Sequence, residues 1–490
     1  MLNLVGQLLD SWHSNGVIYC HWKSNDAIER GLIGEGDLDI LVSQHSTAAA
    51  YNSLTSLGFK RLQEPPRTGY PGIEHWLGLS EEGTFVHLHL HFRLVYGEKF
   101  IKGHRYADEE GILARRILDR GVYQISRADE LVLLFTRTVL KVDFIWIAKR
   151  LAGLQKQYFP KHIMEEYGFL SKGVTNEAFE EACEAFLPGI SKNDIRQGID
   201  TIAGFNLLKL LRWRFRLRRE LAFSQRLSRL EGWKAFFRVY ILFFLGKLGL
   251  YKKPKKKLYS GGRTIALLGA DGAGKSTMVD ELQQWLGYFL DVETLYGGTG
   301  DGKKSLSLTL FDAVMAPLSS QKKKAASGQP NKVPGGTQKR QSTIKVLLKN
   351  IRAALITQHR LATVRQSSRL SNNGKIVLLD RFPQPFQRNY SDGPKALKQE
   401  GAKPSRLYRW EQAAYEKMFA NFSDHCFILM VDPDVSVARK PENVAEIIVA
   451  KNEILKEIAR RKESQTVILD ANMDYEKVLN ALKRQVWEWL

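Results

Sequence analysis

Thr264-Ile265-Ala266-Leu267-Leu268 runs directly into Gly269-Ala270-Asp271-Gly272-Ala273-Gly274-Lys275-Ser276-Thr277, and Met278, Val279, Leu282, Trp285 and Leu286 follow at helical spacing. The first five residues are aliphatic or β-branched and predict a buried strand. The next nine fit G-x-x-x-x-G-K-[ST]. Glycines at those places let the backbone bend until its N–H groups converge on a phosphate. Lys275 would reach the outer phosphates, and the Ser276 hydroxyl would ligate Mg²⁺. The helix start adds positive potential. Strand, loop and helix come in the order this chemistry requires.

Three further apolar runs repeat the strand pattern. Lys375-Ile376-Val377-Leu378-Leu379 ends in Asp380-Arg381-Phe382-Pro383. Phe427-Ile428-Leu429-Met430-Val431 leads to Asp432-Pro433 and a helix with Arg439-Lys440. Val467-Ile468-Leu469 leads to Asp470-Ala471 and a closing helix to Leu490. Strands alternating with helices predict a parallel α/β sheet with helices on both faces. An acid at the tip of a buried strand beside such a loop can position Mg²⁺ or its water shell, which makes Asp380 a candidate catalytic and metal residue. Arg381 would face the phosphates.

The loop with its internal Asp271, the Leu378-Leu379-Asp380-Arg381-Phe382 strand end and Val431-Asp432-Pro433 before a basic helix together resemble thymidylate kinase, a P-loop nucleoside monophosphate kinase, over residues 262–490. The resemblance implies ATP and Mg²⁺ as cofactors, held by Gly269, Asp271, Gly272, Gly274, Lys275, Ser276 and Thr277. It implies that Asp380 assists the metal or orients the acceptor phosphate. Arg360, Arg381 and Phe382 would contact the acceptor, and Arg439 and Lys440 would belong to a lid over the transferring group. Leu355-Ile356-Thr357-Gln358-His359-Arg360 keeps the arginine of the family's L-F-x-A-D-R pattern but not its apolar and acidic positions. TMP is therefore expected to be a poor acceptor.

The N-terminal third carries a second constellation. Gly36-Asp37-Leu38-Asp39-Ile40-Leu41-Val42 sets two carboxylates on one face of an apolar strand, the oxygen-ligand pair that suits Mg²⁺ on a triphosphate. Lys23-Ser24 stands a dozen residues upstream. This resembles the nucleotidyltransferase fold of the DNA polymerase β type, with Lys23 in place of the family's glycine. The family takes a third carboxylate from a later strand. Here that strand is Phe85-Val86-His87-Leu88-His89-Leu90-His91-Phe92, which has no acid and presents His87, His89 and His91 on one face. Three imidazoles beside Asp37 and Asp39 form a candidate transition-metal site. The alternative is a polar face whose rings are satisfied by their neighbours.

The chain has 490 residues, a length that suggests about three domains, and a net charge of +21. Residues 202–257 hold 16 Lys or Arg and two acids, a net of +14, and residues 303–365 hold 13 and one, a net of +12. The rest sums to −5, so the basicity belongs to two segments and predicts an anionic partner. In the first, Arg212, Arg214, Arg216, Arg218 and Arg219 alternate with Trp213, Phe215 and Leu217, and Trp233-Lys234-Ala235-Phe236-Phe237-Arg238 follows. Apolar bulk beside cations suits an interfacial helix on an anionic membrane, or a helical linker with a solvated face. No nucleic-acid motif accompanies the charge, so nucleic acid is not expected. The second segment includes the Gly/Pro-rich stretch 319–336, which reads as a mobile basic loop. Cys20, Cys183 and Cys426 are too few and too scattered for a disulfide scaffold or a zinc knuckle. Met1–Gln7 has no signal-peptide pattern, and no uncharged apolar run reaches the roughly 20 residues of a membrane span.

The expected organisation is an α+β nucleotidyltransferase-like domain (1–125), a helical, basic connector (126–258) opening near Asp129 as a helix cap, and a P-loop domain (259–490) with an insertion near 303–342. The expected activity is ATP-dependent phosphoryl transfer to a nucleoside monophosphate or another small phosphorylated acceptor. The alternative is an ATP-binding assembly or regulatory protein on the inner membrane face, in a surface-polysaccharide context, with a degenerate nucleotidyltransferase domain. A cytoplasmic chain, peripheral on the membrane in the second case, follows from both. A homodimer is left open.

Overall fold

The computed structural model of the chain describes residues 1–65, 68–98, 101–106, 108–142, 146–147, 152, 159–204, 207–251, 254–298, 306–323, 343–397 and 403–490. Two compact units emerge, Met1–Pro254 and Lys255–Leu490. Both are mixed α/β.

Among the described residues of the first unit, nine short strands are β1 (Tyr19–His21), β2 (Asp37–Val42), β3 (Lys60–Gln63), β4 (Ile73–Leu79), β5 (Phe85–His91), β6 (Val95–Tyr96), β7 (His104–Arg105), β8 (Ile117–Asp119) and β9 (Val122–Gln124). Seven of them form a mixed sheet in the order β3-β4-β5-β2-β1-β9-β8. Parallel pairing of β2 with β5 sets Asp37 beside His87 and Asp39 beside His89. Antiparallel pairing of β4 with β5 sets His75 opposite His89. One apolar cluster joins Leu8, Trp12, Leu54 and Leu88. A second joins Cys20, Trp22 and Leu41 to the helices Arg127–Lys141, Asn176–Phe186 and Leu207–Glu220. The helical stretch after residue 126 thus shares a core with the sheet. Its first helix is capped by Ser126, whose Oγ accepts from the Asp129 N–H at 3.1 Å. Asp129 sits inside the first turn instead of capping it, and pairs with Arg115 at 3.1 Å.

In the second unit, β10 (Arg263–Gly269), β11 (Val292–Tyr296), β12 (Ile376–Asp380), β13 (His425–Met430) and β14 (Thr466–Asp470) lie in the order β11-β12-β10-β13-β14, every pair parallel. Ile265, Ala266, Leu267, Val377 and Leu378 are fully buried because helices cover both faces, which is why these strands read as unbroken apolar runs. Edge strand β11 was not expected from the sequence. Its Val-Glu-Thr-Leu-Tyr pattern is only half buried. Of the basic segment 303–342, the stretch 306–323 is helical and includes the start of the Gly/Pro-rich run. The rest of that expected loop lies outside the described residues.

Glu130 gives the first unit a pH dependence. Its buried carboxylate accepts from Asn25 N at 3.2 Å and Asn25 Nδ2 at 2.7 Å. Burial, with Glu166 nearby, outweighs those bonds and Arg137 and pushes the carboxyl up to about 7. A raised acid holds its proton in the folded state after the unfolded chain has lost it, so stability falls as pH rises from about 4.5 to about 7. The urea concentration at which Arg127–Lys141 loses hydrogen-exchange protection should drop over this window, by on the order of 2–3 kcal/mol in stability. Glu130→Gln should flatten the slope, and a slope unchanged by that substitution would contradict the assignment.

Candidate functional site

The loop after β10 is shaped by two glycines in the left-handed region, Gly272 (φ 80°) and Gly274 (φ 83°), a conformation that strains any side-chain-bearing residue. Helix Lys275–Gly287 starts directly behind them. Lys275 is buried, and its Nζ donates to the Ala270 carbonyl at 2.8 Å. Burial, reinforced by the nearby Arg381 cation, lowers the Lys275 ammonium to about 8. An anion arriving in the loop would relieve that strain. Ser276 Oγ donates to Asp380 Oδ2 at 2.7 Å. The other carboxylate oxygen, Asp380 Oδ1, is buried and has no hydrogen-bond partner among the described residues. A hydroxyl and a spare carboxylate oxygen at the mouth of a phosphate loop fit Mg²⁺ with its water shell.

Arg381 follows Asp380 with φ 76°, a conformation that costs a non-glycine residue about 1–3 kcal/mol. The fold holds it there from three sides. Its N–H donates to Leu267 O at 3.1 Å, and its guanidinium lies 3.1 Å from Asp271 and 3.5 Å from Asp392. Asp271 also bonds Lys451. Burial alone would raise Asp271, but Lys451, Lys275 and Arg381 outweigh it and hold the carboxyl at about 2. Arg439 donates to Gly272 O at 3.3 Å and Ala471 O at 2.9 Å. A cleft of about 440 Å³ is lined by Asp271, Gly272, Gly274, Lys275, Ser276, Thr277, Tyr296, Asp380, Arg381, Arg439 and Lys440. Gly269 lies below it, where a Cβ would meet Leu429 O at 2.8 Å.

Two residues expected on the acceptor side sit elsewhere. Arg360 is fully buried, and its guanidinium donates to Gly297 O, Asp392 O and Oδ1, Gly393 O and the Tyr415 hydroxyl at 2.6–3.3 Å. It braces the Asp392 turn from beneath. Phe382 packs in the apolar core, edge-on to Phe422 at 4.7 Å. Lys451, Tyr296 and Asp392 join the site without a motif to announce them.

In the first unit, Asp37 and Asp39 meet the histidines of β5. His87 Nδ1 lies 2.7 Å from Asp37 Oδ1, and His89 Nδ1 lies 3.1 Å from Asp39 Oδ1. His91 Nε2 is 3.2 Å from the same Asp39 oxygen, and Lys23 Nζ is 2.9 Å from it. Burial would raise Asp39, but Lys23 and then His89 and His91 hold it well below the usual carboxylate range. Burial lowers His91 to about 3, so its ring is neutral. With Lys23 already on Asp39 and no third carboxylate on β5, these residues do not fit a pair of Mg²⁺ ions. The expected His87–His89–His91 triad is also not what converges. Alternate residues share a face but their Cα atoms step about 6.7 Å apart, which leaves the backbones of His87 and His91 about 13 Å apart. The converging set is His75, His87 and His89, with Asp39, His89 and His91 as a second group.

No protein-family model matches the chain. The chain is similar to two ATP-binding proteins of Escherichia coli K12. One, the uncharacterized ATP-binding protein YghR, is 25% identical over 228 residues, which is 45% of this chain and 86% of the relative. The other, the uncharacterized ATP-binding protein YghS, is 26% identical over 187 residues, covering 37% and 74%.

Arg360 yields a stability prediction. Removing one partner from a buried ion pair strands the other, at about 3–5 kcal/mol. Arg360→Ala should speed hydrogen exchange throughout β10 and β12, and Arg360→Lys should fail to restore protection because an ammonium cannot span the same acceptors. Wild-type exchange in Arg360→Ala would show that the bracing role is wrong.

Proposed function

We propose that the second unit binds ATP with Mg²⁺ and transfers the γ-phosphoryl group to a small phosphorylated acceptor of the nucleoside monophosphate class. The observation that carries this reading is the Ser276–Asp380 pair, with its spare buried oxygen, at the mouth of a glycine loop lined by Lys275, Arg381 and Arg439. The names of the E. coli relatives support ATP as the nucleotide. The thymidylate kinase resemblance supports the acceptor class.

In the transfer, an acceptor phosphate oxygen bonds to the γ-phosphorus as the bond to the β,γ-bridging oxygen breaks, leaving ADP. Mg²⁺, held through Ser276 and Asp380, would neutralise phosphate charge. The loop N–H groups hold the phosphates, and Lys275 exchanges the Ala270 carbonyl for phosphate oxygens. Arg381, fixed by Asp271 and Asp392 before any ligand arrives, meets the acceptor phosphate. Its position is set during folding, so no reorganisation is needed at the moment of transfer. Arg439 adds positive charge on the loop's outer side.

The test is ADP release by the purified full chain with Mg·ATP across a panel of nucleoside monophosphates, TMP included as the weak member. One acceptor should raise ADP release well above the acceptor-free rate. Lys275→Ala should lower kcat/KM by about a hundredfold or more. Acceptor-dependent turnover that survives Lys275→Ala would remove the loop from the reaction.

A second reading, membrane association, is favoured by the helix Arg229–Lys247. Leu230, Trp233, Phe237, Ile241 and Phe244 recur on one helical face, and each is more than half exposed. Among the described residues no helix is long and apolar enough to cross a membrane. We propose that this stripe, with Lys234 and Arg238 beside it, lies on an anionic bilayer, where each cation near the surface adds about 1 kcal/mol. The chain should float with vesicles containing anionic lipid at low salt, and Trp233→Ser with Phe237→Ser should keep it in the lower fractions. Wild-type chain that never floats would contradict this.

A further inference from the structure

We propose that the first unit holds a divalent transition-metal ion such as Zn²⁺ between His75, His87 and His89, a centre distinct from the nucleotide cleft. Ring nitrogens of the three lie within 4.8 Å of one another. Two of them, His75 Nδ1 and His87 Nε2, are 3.2 Å apart. Two nitrogens at about 2.0–2.1 Å from a tetrahedral Zn²⁺ stand about 3.3 Å apart.

The proton count argues for a cation between them. His75 Nε2 lies 2.6 Å from Glu64 Oε1, and His87 Nδ1 lies 2.7 Å from Asp37 Oδ1. An ionised carboxylate only accepts hydrogen bonds, so each outer nitrogen carries its ring's hydrogen. If both rings are neutral, the two inner nitrogens facing each other across 3.2 Å are both acceptors, so the pair needs either a shared proton or a cation between them. A metal ion turns both lone pairs into ligands. A carboxylate on the far nitrogen is the arrangement that fixes the tautomer and orientation of a metal-bound histidine. The third ring offers a further donor: His89 Nε2 is buried, has no hydrogen-bond partner among the described residues, and lies 3.6 Å from Asp37 Oδ2.

The sheet builds the set from two strands. His75 on β4 is directly opposite His89 on β5, and His87 is one alternate step along. All three therefore crowd one patch of one face. Imidazole donors suit Zn²⁺, Cu²⁺ or Ni²⁺ and not Mg²⁺, which prefers oxygen. Three protein ligands also leave a fourth position for water or substrate. The neighbouring Asp39 site already has a cation in Lys23, 2.9 Å away.

The test uses the full chain stripped with chelator and without nucleotide. Zn²⁺ is titrated against a chromophoric chelator, and Co²⁺ is added separately as a spectroscopic probe. One Zn²⁺ should bind per chain at micromolar concentration or below, and Co²⁺ should give the intense visible absorption of a four-coordinate site. His75→Gln and Glu64→Gln should each weaken Zn²⁺ binding by about 10–100-fold while circular dichroism stays as in wild type. Should a variant lose its fold, the wild-type Co²⁺ spectrum still decides. No stoichiometric Zn²⁺, a featureless Co²⁺ spectrum, or equal affinity in folded His75→Gln would each overturn the centre and leave a proton shared by His75 and His87.

Discussion

The parallel pairing of β10 with β12, with Leu267 beside Asp380, is the constraint on which the nucleotide cleft depends. It brings the end of one strand level with the start of the loop on the next, so that Asp380 reaches Ser276 at 2.7 Å. Parallel strands all end on the same edge, and the crevice outside their carboxyl ends is where such sheets bind ligands. A slip of one residue would turn the Asp380 side chain to the opposite face. Arg381 inherits its place from the same register, because the N–H that locks its strained backbone donates to Leu267 O. The charges then run in a chain. Asp271 is shared by Lys451 and Arg381, and Arg381 by Asp271 and Asp392. Arg360 holds Asp392 from below. Arg360 is fully buried, so a movement that takes Asp392 away from it leaves a buried charge short of its partner, which costs several kcal/mol.

The central strands and the loop were legible because both signals are local. An apolar run five residues long, a glycine pattern and a helical period require no knowledge of neighbours. Edge strand β11 was missed because Glu293 and Thr294 interrupt its apolar run, as suits an edge strand whose five residues are all only partly buried. Arg360 and Phe382 were misplaced for a related reason. Position beside a motif gives proximity in the chain but not depth, and both side chains turn inward from segments that border the cleft. Lys451 could not have been found at all, since it reaches Asp271 from a helix 180 residues later.

The histidine strand shows the same limit in another form. Period two correctly places His87, His89 and His91 on one face, yet a strand is extended and its alternate residues are spread out along it. What gathers ligands is pairing across strands, so the third nitrogen comes from His75 in the adjacent strand and not from His91. Lys23 makes a similar point about the D-x-D pair. Its ammonium lies on Asp39, where a chain of the polymerase β type would bring a metal-bound triphosphate. Asp37 and Asp39 meet the histidines of β5 and Lys23 there. The helices after residue 126 bury Trp22 and Leu41 together with their own apolar faces, so the sheet and the helical stretch stabilise one another.

The account rests on the Ser276–Asp380 pair being half of a metal–phosphate site. A crystal structure of the full chain with Mg²⁺ and a non-hydrolysable ATP analogue tests that most directly. The account predicts phosphates inside the Gly269–Ser276 loop, Lys275 Nζ moved from the Ala270 carbonyl onto a phosphate oxygen, and Mg²⁺ bound by the Ser276 hydroxyl with Asp380 in its water shell. An analogue bound elsewhere, with Lys275 still on Ala270 and Ser276 still on Asp380, would contradict it.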